Sequence, residues 1–214
     1  MKASHSLKIA FLLCATMLQA VSSGAQPVSK VAAGTVYSLF LKSDGSLWGM
    51  GSNSDGNTNN RPEQIAASNV TAITVGQSHV LFLESDGSLW AMGNNGGGQL
   101  GDGTYNSTNQ PEQIVASNVT AIAAGGSTSL FLKIDGSLWG MGSDTAGELG
   151  DGTYNSTNRP EEIVAGNVIA IAEGLGQTLF LKSDGSLCHG LEPNWTVGRR
   201  HIQQHQPTRA DCGQ

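Results

Sequence analysis

The sequence predicts an all-β fold, a partial β-propeller of about three to four four-stranded blades. Three observations carry that expectation. The word LFLKIDGSLWGMG at 130–142 recurs as LFLKSDGSLWGMG at 39–51 and LFLESDGSLWAMG at 81–93, and begins a fourth time at 179–187. Its aspartates, Asp44, Asp86, Asp135 and Asp184, are 42, 49 and 49 residues apart, a period at which each copy forms one supersecondary unit of an array. Glycine is abundant, 29 of 214 residues, and few stretches carry a helical period, so short strands and tight turns account for most of the chain.

Residues 1–25 read as a secretory signal peptide, expected to be helical. Lys2 and Lys8 give a positive start, 9–18 is an apolar run too short to span a bilayer, and Ser23-Gly24-Ala25 offers small residues for cleavage. The mature chain is then expected to begin at Gln26 and to be secreted, periplasmic or held at the cell surface. No other apolar run is long enough for a membrane-spanning helix.

Residues 26–187 hold the repeats. In the third copy, strands are expected at 118–124, 129–134 and 137–141, with a last strand near 160–164. Asp135-Gly136 is read as a two-residue hairpin turn with positive φ at both positions. Leu130, Phe131 and Leu132 are consecutive, so that strand needs cover on both faces. Blades stacked around an axis supply it, as would a solenoid. Pro62, Pro111 and Pro160 suit strand starts or edges, where no ladder donor is required. The first copy is shorter because 52–61 lacks the GQLGDGT stretch found at 98–104.

The repeats carry six basic and fifteen acidic side chains, no cysteine, and a single histidine, His79. An acidic surface argues against a nucleic-acid partner held by phosphate contacts. No disulfide can staple this segment, so core packing and hydrogen-bond ladders must hold it. Asp44, Asp86, Asp135 and Asp184 each precede glycine and read as turn caps. Trp48, Trp90 and Trp139 hold one place in the second hairpin strand and read as packing between blades. His79 has no partner at a catalytic spacing and reads as structural. The twin stretches 102–108 and 151–157 lack the dense acidic spacing of a calcium loop and read as turn chemistry. No nucleophile with a base, carboxylate pair or metal cage is visible. No catalytic, cofactor-binding or metal-binding residue is therefore expected, and no cofactor. Tyr105 and Tyr154 occupy equivalent loop positions and are the candidate contacts for a protein partner.

GNNGGGQLG at 93–101 fits the Gly-x-Asn-x-x-Gly-Gln-Leu-Gly word of the regulator of chromosome condensation family, and GSDTAGELG at 142–150 fits it with Asp144 for Asn and Glu148 for Gln. VGQSHVL at 75–81, with Gly76 and His79, matches a second word of that family, whose histidine is replaced by Tyr37, Thr128 and Gln177 in the other copies. The chain therefore resembles that family over about residues 28–187. The resemblance implies a seven-bladed propeller, of which this chain encodes little more than three blades, with the missing blades expected downstream. It also implies guanine-nucleotide exchange on a small GTPase, as in the nuclear member, or inhibition of β-lactamase, as in secreted bacterial relatives.

Residues 188–214 read as an irregular tail in the wrong frame. Permitted codons for it, read one nucleotide later, spell a stretch that agrees with 23 of the 26 residues at 91–116. Cys188 stands where the fourth tryptophan is due, as if the frame shifts after the Leu187 codon. Cys188, Cys212, His189, His201, His205 and the pair Arg199-Arg200 are then accidents of frame rather than a metal cluster or basic patch. The expected function is that of an exported, non-catalytic protein-binding or scaffold module. The alternatives are the two family activities and a truncated array without function.

Overall fold

The computed structural model describes residues 26–52 and 58–190. The expected signal peptide and all of the tail beyond Gly190 lie outside the described residues. Every regular element in the described part is a strand.

Four antiparallel sheets follow one another along the chain. The first is built from β1 (Val28–Ala33), β2 (Tyr37–Lys42), β3 (Leu47–Ser52) and β4 (Thr58–Ala66). The second holds β5 (Val70–Val75), β6 (His79–Glu84), β7 (Leu89–Gly93) and β8 (Thr108–Val115). The third holds β9 (Val119–Ala124), β10 (Thr128–Lys133), β11 (Leu138–Gly142) and β12 (Thr157–Val164). In each, the strands pair in sequence order as a meander. The fourth sheet has three strands, β13 (Val168–Glu173), β14 (Thr178–Lys182) and β15 (Leu187–His189). The arrangement is an open, incomplete propeller whose blades match the repeats.

In the second and third blades both faces of the second strand are buried, for the reason its sequence implies. Leu39 and Leu41 of the first blade pack against Val80 and Phe82 of the second. Leu81 and Leu83 then pack against Phe131 and Met141 of the third, and Leu130 and Leu132 against Phe180 of the fourth. Each blade thus offers a leucine face to its successor and a Phe/Trp face to its predecessor. Phe82, Phe131 and Leu130 are fully enclosed, and burying each such side chain contributes about 1.5–3 kcal/mol. Each tryptophan lies against the phenylalanine opposite it, with Phe131 and Trp139 stacked at 6.2 Å.

The hairpin turn differs from the two-residue expectation. Gly136 N donates to Lys133 O and Lys133 N to Ser137 O, which closes a three-residue loop, Ile134-Asp135-Gly136. Only Gly136 takes positive φ, +79°. A type I turn followed by one left-handed residue satisfies the strand twist as well as the mirror-image turn does. The Asp135 carboxylate favours it by accepting from Ser137 N at 2.9 Å and Ser137 Oγ at 2.6 Å. Trp139 Nε1 donates to the same hydroxyl at 2.9 Å, so the aspartate orients the indole through the serine. These hydrogen bonds hold the Asp135 carboxyl below its ordinary pKa.

The fourth blade keeps this register to the end of its hairpin. Cys188 pairs with Phe180, as Trp48, Trp90 and Trp139 pair with Phe40, Phe82 and Phe131. Strand structure therefore continues past 187, and Cys188 occupies the tryptophan slot. Its sulfur is disulfide-bonded.

Candidate functional site: the loop edge and the seam beneath it

Between the third and fourth strands of the second and third blades run two long loops, 94–107 and 143–156. Their frames are built alike. Asn95 N donates to Ser107 Oγ at 3.1 Å, and Asp144 N to Ser156 Oγ at 2.9 Å. Asn95 Oδ1 accepts from Leu100 N and Asp144 Oδ1 from Leu149 N, which fixes both leucines in the core, fully buried. Further out, Asp102 accepts from the backbone and hydroxyl of Thr104, and Asp151 from those of Thr153. The twin acidic stretches therefore serve turn geometry.

Each loop also rests on the next blade. Gly103 N donates to Asn158 O at 2.8 Å, and Ser129 Oγ donates to Gln99 O at 2.7 Å. Thr178 Oγ1 repeats the latter contact on Glu148 O at 2.6 Å. Tyr105 and Tyr154 stand at matching points of these braced loops, 55% and 57% exposed. The two candidate partner contacts are thus solvent-facing side chains on a constrained backbone. The loop of the first blade includes residues 53–57, which lie outside the described residues.

The two frames differ chemically in one respect. In the second blade, Asn95 Nδ2 donates to Asp102 Oδ1 at 3.0 Å and to Thr104 O at 3.2 Å. In the third, Asp144 puts a carboxylate oxygen beside Asp151, with Thr153 Oγ1 at 3.5 Å. Burial, joined by the charges of Asp151 and Glu148, pushes the Asp144 pKa up to about 6. Among the described residues no group of three His, Cys, Asp or Glu side chains is arranged to hold a metal ion.

A polar seam joins the blades beneath the loops. Tyr37 Oη donates to His79 O at 2.6 Å and to Gly76 O at 3.2 Å, and burial raises its pKa to about 12. His79 has no exposed surface, and its Nε2 lies 2.8 Å from Ser129 Oγ. Because that hydroxyl is committed as a donor to Gln99 O, the imidazole donates from Nε2. Burial pushes its pKa down to about 4. Gly76 makes room for the ring, since a Cβ there would meet His79 Cε1 and Gly125 O. His79 is thus a joint between the second and third blades, as its lone occurrence implies.

The seam ends on a residue the sequence reading passed over. Glu173, at the end of β13, accepts from the Thr128 hydroxyl, and burial pushes its pKa up to about 8. The matching positions hold Ala33, Val75 and Ala124, so a carboxylate at a small or apolar position was the available signal. The hydroxyls beside them, Ser129 next to His79 and Thr128 next to Glu173, are both buried and each is committed to a hydrogen bond within the seam. No contact among the described residues brings the seam to Tyr105 or Tyr154.

These features define a repeat propeller that displays braced loops along one edge. Models of the regulator of chromosome condensation (RCC1) repeat match residues 86–132 and, in a second form, 28–57, 70–99 and 119–148. Together they cover half of the chain, which belongs to this repeat family. No curated protein sequence matches. Among solved structures, human WBSCR16 is similar over 76% of this chain and 46% of its own, with 26% identity and a TM-score of 0.67. Prp20p of Saccharomyces cerevisiae shares the fold over 77% of this chain and 45% of its own, with 20% identity and a TM-score of 0.64. That structure is described with its binding to Gsp1p and histones, and yeast RCC1 (Prp20) has also been solved bound to Kap60. The chain spans a little under half the length of these structures.

Proposed function

We propose that the chain is an exported, non-catalytic protein-binding module, with the loop edge as its contact surface. The observation that carries this reading is the pair Tyr105 and Tyr154, exposed at matching points of two loops braced by the same hydrogen bonds. An aromatic side chain on a fixed backbone loses little entropy on binding and supplies a large contact area. Exchange activity and β-lactamase inhibition are the two specific forms that the family offers. Export, argued from residues 1–25, favours the second over a GTPase partner. The shifted-frame reading of the tail fits the same view, since it returns the fourth blade to the family pattern.

The experiment is an affinity capture from extracellular material, run beside a GTPase exchange assay and a β-lactamase inhibition assay. The same three assays are run with the double variant Tyr105→Ala/Tyr154→Ala. Binding or inhibition that drops at least roughly tenfold in the double variant supports the loop edge. Capture or inhibition that the double variant leaves unchanged refutes it, and exchange activity in the wild type replaces this reading with the enzymatic one.

A further inference from the structure

The two ends of the blade array are unequal, and each lacks what the other has. Every internal joint pairs the leucine face of one blade with the Phe/Trp face of the next. At the fourth blade the leucine face is open. Leu187 is 56% exposed, while its counterparts Leu47, Leu89 and Leu138 are fully buried. Leu179 is exposed as well, although Leu39, Leu81 and Leu130 are enclosed. At the first blade the opposite face is open, with Val31 76% exposed and Phe40 only partly covered.

The backbone shows the same complementarity. In the first three blades the turn glycine carbonyl accepts from the first residue of the next blade: Val70 N to Gly45 O, Val119 N to Gly87 O and Val168 N to Gly136 O. A Cβ on Gly45, Gly87 or Gly136 would meet the asparagine leading into that next blade, whereas one on Gly185 would meet nothing. Val28, the first residue of the first blade, matches Val70, Val119 and Val168 in register. A second joint recurs at the opposite end of the same strands, where Gln77 N donates to Gly125 O and Gly126 N to Gly174 O. Leu175 at one end and Gly34 at the other hold the matching positions.

We infer that a second copy of this chain joins head to tail, the first blade of each copy seated on the fourth blade of the other. In that contact Val28 N donates to Gly185 O, Leu175 N donates to Gly34 O, and Leu179 and Leu187 receive Val31 and Phe40. The contact is heterologous and occurs twice in a closed pair. Two copies supply eight blades, within the range over which propellers close. Closure asks about 45° of each blade, against about 51° in a ring of seven, a small opening of each joint.

Sedimentation of the full chain at tens of micromolar tests the pairing. The expected species has twice the monomer mass. Leu187→Asp and Val31→Asp, both at exposed positions, each weaken pairing by roughly tenfold or more, because a carboxylate is forced into an apolar contact. Circular dichroism confirms that each remains folded. Ile134→Asp, exposed on a turn away from both faces, leaves pairing unchanged. A mixture of Leu187→Asp and Val31→Asp recovers association, since one intact contact forms between them; two like faces meeting would not be rescued this way. A wild-type monomer, an open polymer, or a pair insensitive to both substitutions overturns the inference. A monomer would leave these faces to further blades encoded downstream.

Discussion

Asp144→Asn tests whether the third blade carries an electrostatic cost that the second avoids. Asp144 has no exposed surface, and its carboxyl pKa rises from 3.8 to about 6. A shift of about two units corresponds to about 3 kcal/mol between the two protonation states. The loop lies just beneath solvent and its acidic neighbours are partly screened, which reduces the usable figure to about 1–2 kcal/mol. Asparagine keeps the acceptor for Leu149 N and adds a donor. Asn95 already spends that donor on Asp102 and Thr104 O, so the variant is expected to reach Asp151 and Thr153 in the same way. Because folding raises this acid's pKa, the native state holds the proton more tightly than the unfolded chain. The cost is absent below about pH 3.8, grows between 3.8 and 6, and is complete above 6. Asp144→Asn should therefore match wild type near pH 4 and exceed it by about 1–2 kcal/mol at pH 7. For a chain of this size that is about 2–8 °C in Tm. Thermal or urea unfolding across pH 4–8 measures it. Asn95→Asp supplies the reciprocal, with a loss of similar size at neutral pH. A stability difference independent of pH, or a destabilised Asp144→Asn, would refute the reasoning.

Three further outcomes rest on the seam and the turns. Glu173 has a folded pKa near 8, so its contribution to stability falls as pH rises from about 4.5 towards 8, by up to about 1.4 kcal/mol per pH unit. Glu173→Gln should flatten that limb in urea unfolding, and an unchanged slope counts against a buried neutral acid. His79, with a folded pKa near 4, acts in the other direction: stability falls as pH drops from about 6.5 to 4. His79→Gln, which borrows the residue of the fourth blade and retains a donor for Ser129, should remove this acid limb from the thermal melts. Gly87 and Gly185 share a left-handed backbone, φ +81° and +88°. A Cβ on Gly87 would lie 2.9 Å from Asn118 N. At a protein concentration low enough to keep the chain monomeric, Gly185→Ala should thus cost about 1–2 kcal/mol in chevron or melting analysis, and Gly87→Ala clearly more; equal costs in the monomer would mean that the contact between blades yields freely.

The repeat was legible because one physical need, burial of a strand on both faces, imposes the same apolar residues on every copy. Leu39, Leu81 and Leu130 announce the architecture before any contact is known. The turn was harder to read, since Asp-Gly serves both the two-residue and the three-residue hairpin. What decides between them is the Ser137 bond to Asp135 and the seating of Asn167 on Gly136. Departures from the repeat proved the least legible and chemically the most informative. Asp144 in place of Asn95 was visible in the sequence, but its raised pKa depends first on its burial in the loop frame and then on Asp151 and Glu148 converging on it. Glu173 matters because Thr128 and the space left by Gly125 receive its carboxyl, and only the stacking of the third and fourth blades brings these together. Cys188 in the tryptophan slot follows the same pattern: Phe180 opposite it stays buried while Leu187 beside it does not. A repeat protein states its scaffold many times over and each exception once. Its pH-sensitive joints and open faces are therefore found by asking, position by position, where one blade differs from its neighbours.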